Sequence, residues 1–158
     1  MTGERDPADS PAPRDLPSPP DDVTVEPATP DDRLAVLRIL DAAMLETDAA
    51  TVDDRIAAGD AFVARSTRTG GVVGALVAVR PDSSRLHVDA VAVRRARRGR
   101  GIGSALVAAA VDRGESAPAV ETVTARFDAD LAEFYEALGF AVDADGAAAG
   151  RRTGRHPV

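Results

Sequence analysis

Apolar and polar residues first fall into order at Val23-Thr24-Val25-Glu26, where they alternate and predict a short strand. Thr29-Pro30-Asp31-Asp32 follows with the marks of a helix start. Thr29 can cap, proline fits the first helical position, and the acids meet the positive end of the helix dipole. Leu34, Leu37, Leu40 and Met44 then recur at helical spacing and carry the helix to about Leu45. A second short helix is predicted over Val52–Ala58, stopped by Gly59. Ala61–Ser66 and Val72–Arg80 read as a hairpin turned at Arg68-Thr69-Gly70-Gly71. Its second strand is almost wholly apolar, so both faces must be covered.

After a turn at Pro81-Asp82-Ser83-Ser84, Arg85–Val93 predicts a strand and Gly101–Asp112 a helix. Glu121–Phe127 is a further strand, Leu131–Leu138 a helix ended by Gly139, and Phe140-Ala141-Val142 a last short strand. Strand, helix and strand from Arg85 to Phe127 form a βαβ-like unit with a right-handed crossover. With the hairpin before it, this predicts an α/β fold, a mixed sheet with helices on both faces. Met1–Asp22 lies outside that pattern: six prolines among acidic and small residues cannot bury enough surface to offset their ordering entropy, and disorder is expected. The pattern therefore places one domain at residues 23–142, flanked by the tail 1–22 and by an Ala-, Gly- and Arg-rich tail, residues 143–158, which takes no assignment.

Composition narrows the chemistry. Among 158 residues lysine and cysteine are absent, and every one of the nineteen basic residues is arginine. That excludes Schiff-base chemistry, a P-loop lysine, disulfides, a thiol nucleophile and cysteine-based zinc. His87 and His156 are the only imidazoles, too few for most zinc sites, and no metal is expected. The net charge of −7 repels nucleic acid. Aspartate in excess of glutamate, with arginine for lysine, is what high-salt adaptation and GC-rich coding both produce. No apolar run approaches the ~20 residues that span a membrane, and the acidic, proline-rich start does not read as a signal peptide, so a cytoplasmic location is expected.

Against that acidic background, Arg94, Arg95, Arg97, Arg98 and Arg100 crowd the start of the predicted helix at Gly101. A helix N-terminus already carries partial positive charge and unpaired N–H groups, so five arginines there ask for an anion. Gly99, Gly101 and Gly103 remove side chains where the backbone would approach it, which suits a phosphate or pyrophosphate. The alternatives are a solvated basic loop and a nucleic-acid patch; the latter is weakened by the acidic balance and the lack of interleaved aromatics. The dinucleotide fingerprint fails in both registers, because Ser104 or Leu106 stands where its third glycine belongs.

Arg98-x-x-Gly101-x-Gly103 resembles the acetyl-CoA signature of the GNAT superfamily of N-acetyltransferases, [Gln/Arg]-x-x-Gly-x-[Gly/Ala]. Val91-Ala92-Val93-Arg94 through Leu106 resembles that family's strand, loop and helix, and Phe134-Tyr135-Glu136-Ala137-Leu138-Gly139-Phe140 its second conserved segment. The resemblance covers roughly Val23 to Val142. It implies a GNAT-like, mostly antiparallel mixed sheet whose parallel strands Arg85–Val93 and Glu121–Phe127 splay apart for the cofactor. It implies acetyl-CoA as co-substrate, with Val91 and Val93 lending main-chain groups. Arg98, Gly99, Arg100, Gly101, Ile102, Gly103 and Ser104 would wrap the pyrophosphate, and Tyr135 would protonate the leaving thiolate. The acceptor it implies is a small-molecule or peptide amine.

Two departures from the family stand out. Asp128 occupies the place of a frequent asparagine, and the tail after Val142 lacks the apolar strand that closes the family's substrate side. One solution to the second is a homodimer in which a partner chain completes the acceptor pocket. Period-two alternation puts His87, Asp89, Val91 and Val93 on one face of their strand, with His87 and Asp89 farther back along the cleft as candidate bases; a bulge would shift that parity. A non-catalytic acyl-CoA sensor is the alternative to an enzyme.

Overall fold

The computed structural model describes residues 18–45, 47–143 and 151–158. Its strands are β1 (Val23–Pro27), β2 (Ala61–Ser66), β3 (Val72–Asp82), β4 (Arg85–Val93), β5 (Thr122–Asp128), β6 (Ala141–Val142) and β7 (Arg151–Pro157). They form one sheet in the order β1-β2-β3-β4-β5-β7-β6. Every neighbouring pair is antiparallel except β4 with β5. The helices are α1 (Arg33–Ala42), α2 (Ala49–Ala58), α3 (Ile102–Ser116) and α4 (Ala132–Ala137).

Helices cover both faces, and the near-continuous apolar run of β3 feeds both cores. On one face Val36, Leu40, Val52 and Ile56 of α1 and α2 pack on Val63, Ala75 and Val77. On the other, Leu106, Val107, Ala110 and Val111 of α3 pack on Leu76, Leu86 and Val123. Tyr135 and Leu138, from α4 and its C-cap, close that second core beside Phe127 and Phe140.

Local signals explain most element ends. Thr29 and Asp32 form a capping box: the Thr29 N–H donates to Asp32 Oδ2 at 2.9 Å as a 3-10 turn leads into α1. α1 stops at Ala42, short of Leu45, because Met44 turns left-handed at φ 61°. α2 begins three residues earlier than expected, where Asp48 Oδ1 accepts from the Thr51 N–H at 2.7 Å. The tail beyond Val142, expected to lack a closing strand, holds β7, which pairs with β5 at seven positions from Thr122–Pro157 to Asp128–Arg151. Apolar alternation does not place β7. Its seven pairs with β5 do, and its Gly154 lies over Phe127, where a Cβ would come within 3.2 Å of the ring. The disorder expected for Met1–Asp22 lies, for residues 1–17, outside the described residues.

One buried carboxylate ties the layers together. Asp60 is fully buried where α2 hands over to β2. It accepts from Arg80 Nε and Nη2 at 2.9 and 3.1 Å, from Arg113 Nε at 3.0 Å and from Arg55 Nη1 at 3.3 Å. Three elements, α2, β3 and α3, thus meet on one side chain. Burial pushes the Asp60 carboxyl up, but Arg80 and Arg113 outweigh it and hold it below its ordinary range. Asp60→Ala strands three guanidinium groups and should destabilise the fold by roughly 3–5 kcal/mol in urea denaturation. Because the folded pKa is the lower one, Asp60's contribution is complete above about pH 4 and is lost as pH falls below it. The variant should therefore lose less stability on acidification than the native chain.

Candidate active site

β4 and β5 pair in parallel only from Arg85–Thr122 to Val88–Ala125. Beyond that point β4 runs on through Asp89–Val93 without β5 alongside, and the strands part. At Asp89, β4 carries one residue more than β3: Val77 faces Ala90 while the adjacent Ala78 faces Val88. The bulge switches the strand's parity. Leu86 and Val88 belong to the α3-side core, and Val91 and Val93 pack against that same core, while Ala90 and Ala92 join the α1/α2 side. The expectation that His87, Asp89, Val91 and Val93 share one face is therefore corrected; His87 lies on the opposite face from Val91 and Val93.

The gap opens into a cavity of about 600 Å³. Val91–Val93, the start of α3, and Leu131, Phe134 and Tyr135 line it, with the Phe134 ring close to Gly103. Gly99 and Gly101 turn left-handed at φ 78° and 85°, a conformation that side chains resist. They swing the chain so that α3 starts at the cavity. The first helical N–H bond of α3 is Ala105 to the Gly101 carbonyl at 3.1 Å, so the N–H groups of Ile102, Gly103 and Ser104 are not used by the helix's own ladder. Arg97 and Arg98 line the same cavity, Arg97 Nη1 lying 3.6 Å from Asp22 Oδ2 and Arg98 Nε donating to the Val93 carbonyl at 3.2 Å. Free N–H groups, a positive helix terminus and two guanidinium groups form a site that fits a phosphate-bearing ligand.

Arg98, Gly99, Gly101, Ile102, Gly103 and Ser104 all line this cavity with Val91, Val93 and Tyr135, whereas Arg100 is exposed and does not. Arg94 turns away to donate from Nε to the Val72 carbonyl at 3.0 Å. Sequence reasoning passed over Arg97, Ala43, Leu131 and Phe134 as lining residues. Arg97 was within the arginine run, while Ala43 and Leu131 reach the site only through tertiary packing.

A smaller cavity of about 230 Å³ continues between the parted strands and shares Val91, Leu131 and Tyr135 with the first. Asp89 lines it. His87 lines neither cavity; its Nδ1 lies 2.8 Å from Thr124 Oγ1, inside the paired stretch of β4 and β5. Burial pushes the His87 pKa down, with Asp89 opposing and Arg85 and Arg126 assisting, so His87 is neutral at pH 7.

The chain matches the family model described as an acetyltransferase (GNAT) domain over residues 57–142, more than half its length. It belongs to the GNAT acetyltransferase family. No curated protein matches it in sequence. Among solved structures this GNAT chain is similar to Ard1 from Thermoplasma volcanium, with a TM-score of 0.70 at 22% identity over 87% of this chain and 98% of that one. It is similar to Rv2747 from Mycobacterium tuberculosis, solved with CoA, with a TM-score of 0.73 at 19% identity over 85% and 99%. Naa50 of Arabidopsis thaliana, bound to a CoA-peptide bisubstrate analogue, gives 0.65 at 19% over 85% and 97%. At these identities the likeness is one of fold.

Tyr135 is where the two cavities of the GNAT domain meet. Its ring stacks on Phe127 with centroids 4.0 Å apart and takes the edges of Phe134 and Phe140 at 5.0 and 5.3 Å. Burial pushes its hydroxyl up to about 12. The chain has one tyrosine and no tryptophan, so ultraviolet titration of tyrosinate reads Tyr135 alone. Ionisation should be absent until the pH approaches 12 or the protein unfolds. A tyrosinate signal near pH 10 in folded protein would contradict the burial.

Proposed function

We propose that this chain is an N-acetyltransferase that moves the acetyl group of acetyl-CoA directly to a primary amine, in the cytoplasm, with no metal and no covalent enzyme intermediate. One observation carries the proposal: the first turn of α3, Arg97, Arg98 and Tyr135 all line one cavity, and a second cavity shares Tyr135 with it. The pyrophosphate fits the first turn of α3 with Arg97 and Arg98, and the thioester end then lies toward Tyr135. The edge of β4 that β5 leaves uncovered supplies main-chain groups of Val91 and the Val93 N–H along the way, the Val93 carbonyl being held by Arg98 Nε at 3.2 Å.

Bound acetyl-CoA supplies a thioester whose acetyl carbon joins the amine nitrogen as its bond to sulfur breaks. Tyr135 gives its proton to the sulfur and is refilled from solvent. Asp89, on the wall of the smaller cavity and without the arginine partner that Asp128 has, relays the nitrogen's protons to solvent in this reading, and His87, held by Thr124 and lining neither cavity, does not. Counted from an ammonium acceptor, two protons leave the nitrogen, one reaches the sulfur and one is released.

A panel of amines with acetyl-CoA, followed by a thiol reagent for free CoA, tests the activity; the chain has no cysteine to react. Acetyl-CoA binding without CoA release from any amine would leave an acyl-CoA-binding module instead of an enzyme.

Gly103→Asp should abolish acetyl-CoA binding by calorimetry while melting stays near the native value. A Cβ at Gly103 meets only Phe134 and Val93, each at an ordinary 3.9 Å, and the new carboxylate would face the pyrophosphate. Normal affinity in that variant would put the cofactor elsewhere.

Tyr135→Phe keeps the ring stack and should lower turnover ~10²–10⁴-fold with acetyl-CoA affinity retained. A loss of melting temperature instead would make the hydroxyl structural.

A further inference from the structure

The smaller cavity carries a charge pattern that the transfer reaction alone does not require. Four charged side chains line it: Asp89, Arg126, Asp128 and Arg151. Two of them answer each other across the β5–β7 pairing, where Arg151 Nε lies 3.5 Å from Asp128 Oδ1. The other two, Asp89 and Arg126, take part in no ion pair among the described residues. Asp89 is the bulge residue of β4, and Arg126 lies on β5 one residue beyond the last paired position, Ala125. Each wall of the splay therefore offers one unmatched charge, and the two signs are opposite.

We infer that the acceptor is a zwitterion, a free amino acid with a short or apolar side chain, its ammonium at Asp89 and its carboxylate at Arg126. The inference rests on the acetyltransferase proposal above and names the acceptor class for that same site. A simple amine would satisfy Asp89 and leave Arg126 facing an apolar group, and a peptide N-terminus would present a neutral carbonyl where Arg126 offers a charged fork. A dicarboxylate without an amine would meet Asp89 in repulsion. Size points the same way: about 230 Å³ lies below the ~300 Å³ at which ordinary ligand sites begin, so the acceptor has few heavy atoms. The remaining wall is apolar, with Leu45, Phe127 and Leu131, and suits a small hydrocarbon side chain.

The test uses L-alanine, L-valine and L-leucine, each beside its primary amide, its decarboxylated amine and a dipeptide that begins with it. CoA release is read with acetyl-CoA in excess. At least one free acid should exceed its amide, amine and dipeptide ~10-fold or more in kcat/KM, since a carboxylate on a guanidinium is a charge-assisted bond. Arg126→Gln should collapse that preference toward unity, mainly through KM, without a change in melting temperature. Amides, amines or dipeptides that match the acids would overturn the inference while leaving the acetyltransferase intact. A preference that survives Arg126→Gln would overturn the assignment of the carboxylate to that residue. No CoA release from any amine, broad panel included, is the failure of the acetyltransferase proposal itself, and the acceptor class falls with it.

Discussion

The parallel pairing of β4 with β5 lasts four residues and then stops. Parallel strands in a compact sheet usually continue until one of them ends, because each dropped pair leaves N–H and C=O groups to be satisfied some other way. Here both strands run on, to Val93 and Asp128, with a gap between them. The larger cavity, the exposed strand edge that floors it and the smaller cavity beside it are all consequences of that early stop. What holds the strands apart is on their far sides. β4 is committed to β3 up to Gly74–Val93, and β5 to β7 up to Asp128–Arg151, so each wall of the gap is backed by a continuous antiparallel partner. α4 then fills the wedge from the α3 side with Tyr135 stacked on Phe127.

Seen in that light, two features remote from the cavity acquire a purpose. The Asp60 cluster fixes α3 to α2 and β3 through Arg113, and so fixes the helix whose first turn lines the larger cavity. β7, polar and glycine-containing, supplies the far-side support that β5 needs if it is to stand away from β4 without fraying. A partner chain is not required to complete the sheet at that edge, which removes the reason for which a homodimer was expected.

Much of this was legible in the residues. The strands and helices from Val23 to Val142 follow from alternation, helical spacing and caps, and the α3 anion site from arginines crowded where a helix dipole is already positive. What escaped has identifiable physical causes. β7 is held by its pairing with β5, a tertiary partner, and not marked by an apolar pattern of its own. α3 runs to Ser116, past Asp112, because Gly114 lies where a Cβ would come within 2.6 Å of Val123; the glycine serves close packing and does not end the helix. The parity of β4 depends on a bulge at Asp89, which leaves no mark in a sequence that alternates evenly through it. That single extra residue sends His87 to the face opposite Val91 and Val93 and leaves Asp89 on the wall of the smaller cavity.

Burial at Tyr135 raises an objection that the geometry also answers. A phenol held at about 12 is a far weaker acid than a thiol in water, near 8.5, so proton transfer to a free, hydrated thiolate would run uphill. The leaving sulfur is not hydrated, however. If it departs beside Tyr135, it does so in the same apolar pocket, and the desolvation that disfavours tyrosinate disfavours thiolate as well. Both acids shift in the same direction, and the gap between them narrows as the site excludes water. In the proposed reaction charge on sulfur grows as the carbon–sulfur bond breaks, so proton transfer concerted with cleavage avoids a free thiolate in that pocket. A high pKa also means that the proton is in place at every physiological pH. A limb of a pH–rate profile near neutrality therefore does not belong to Tyr135.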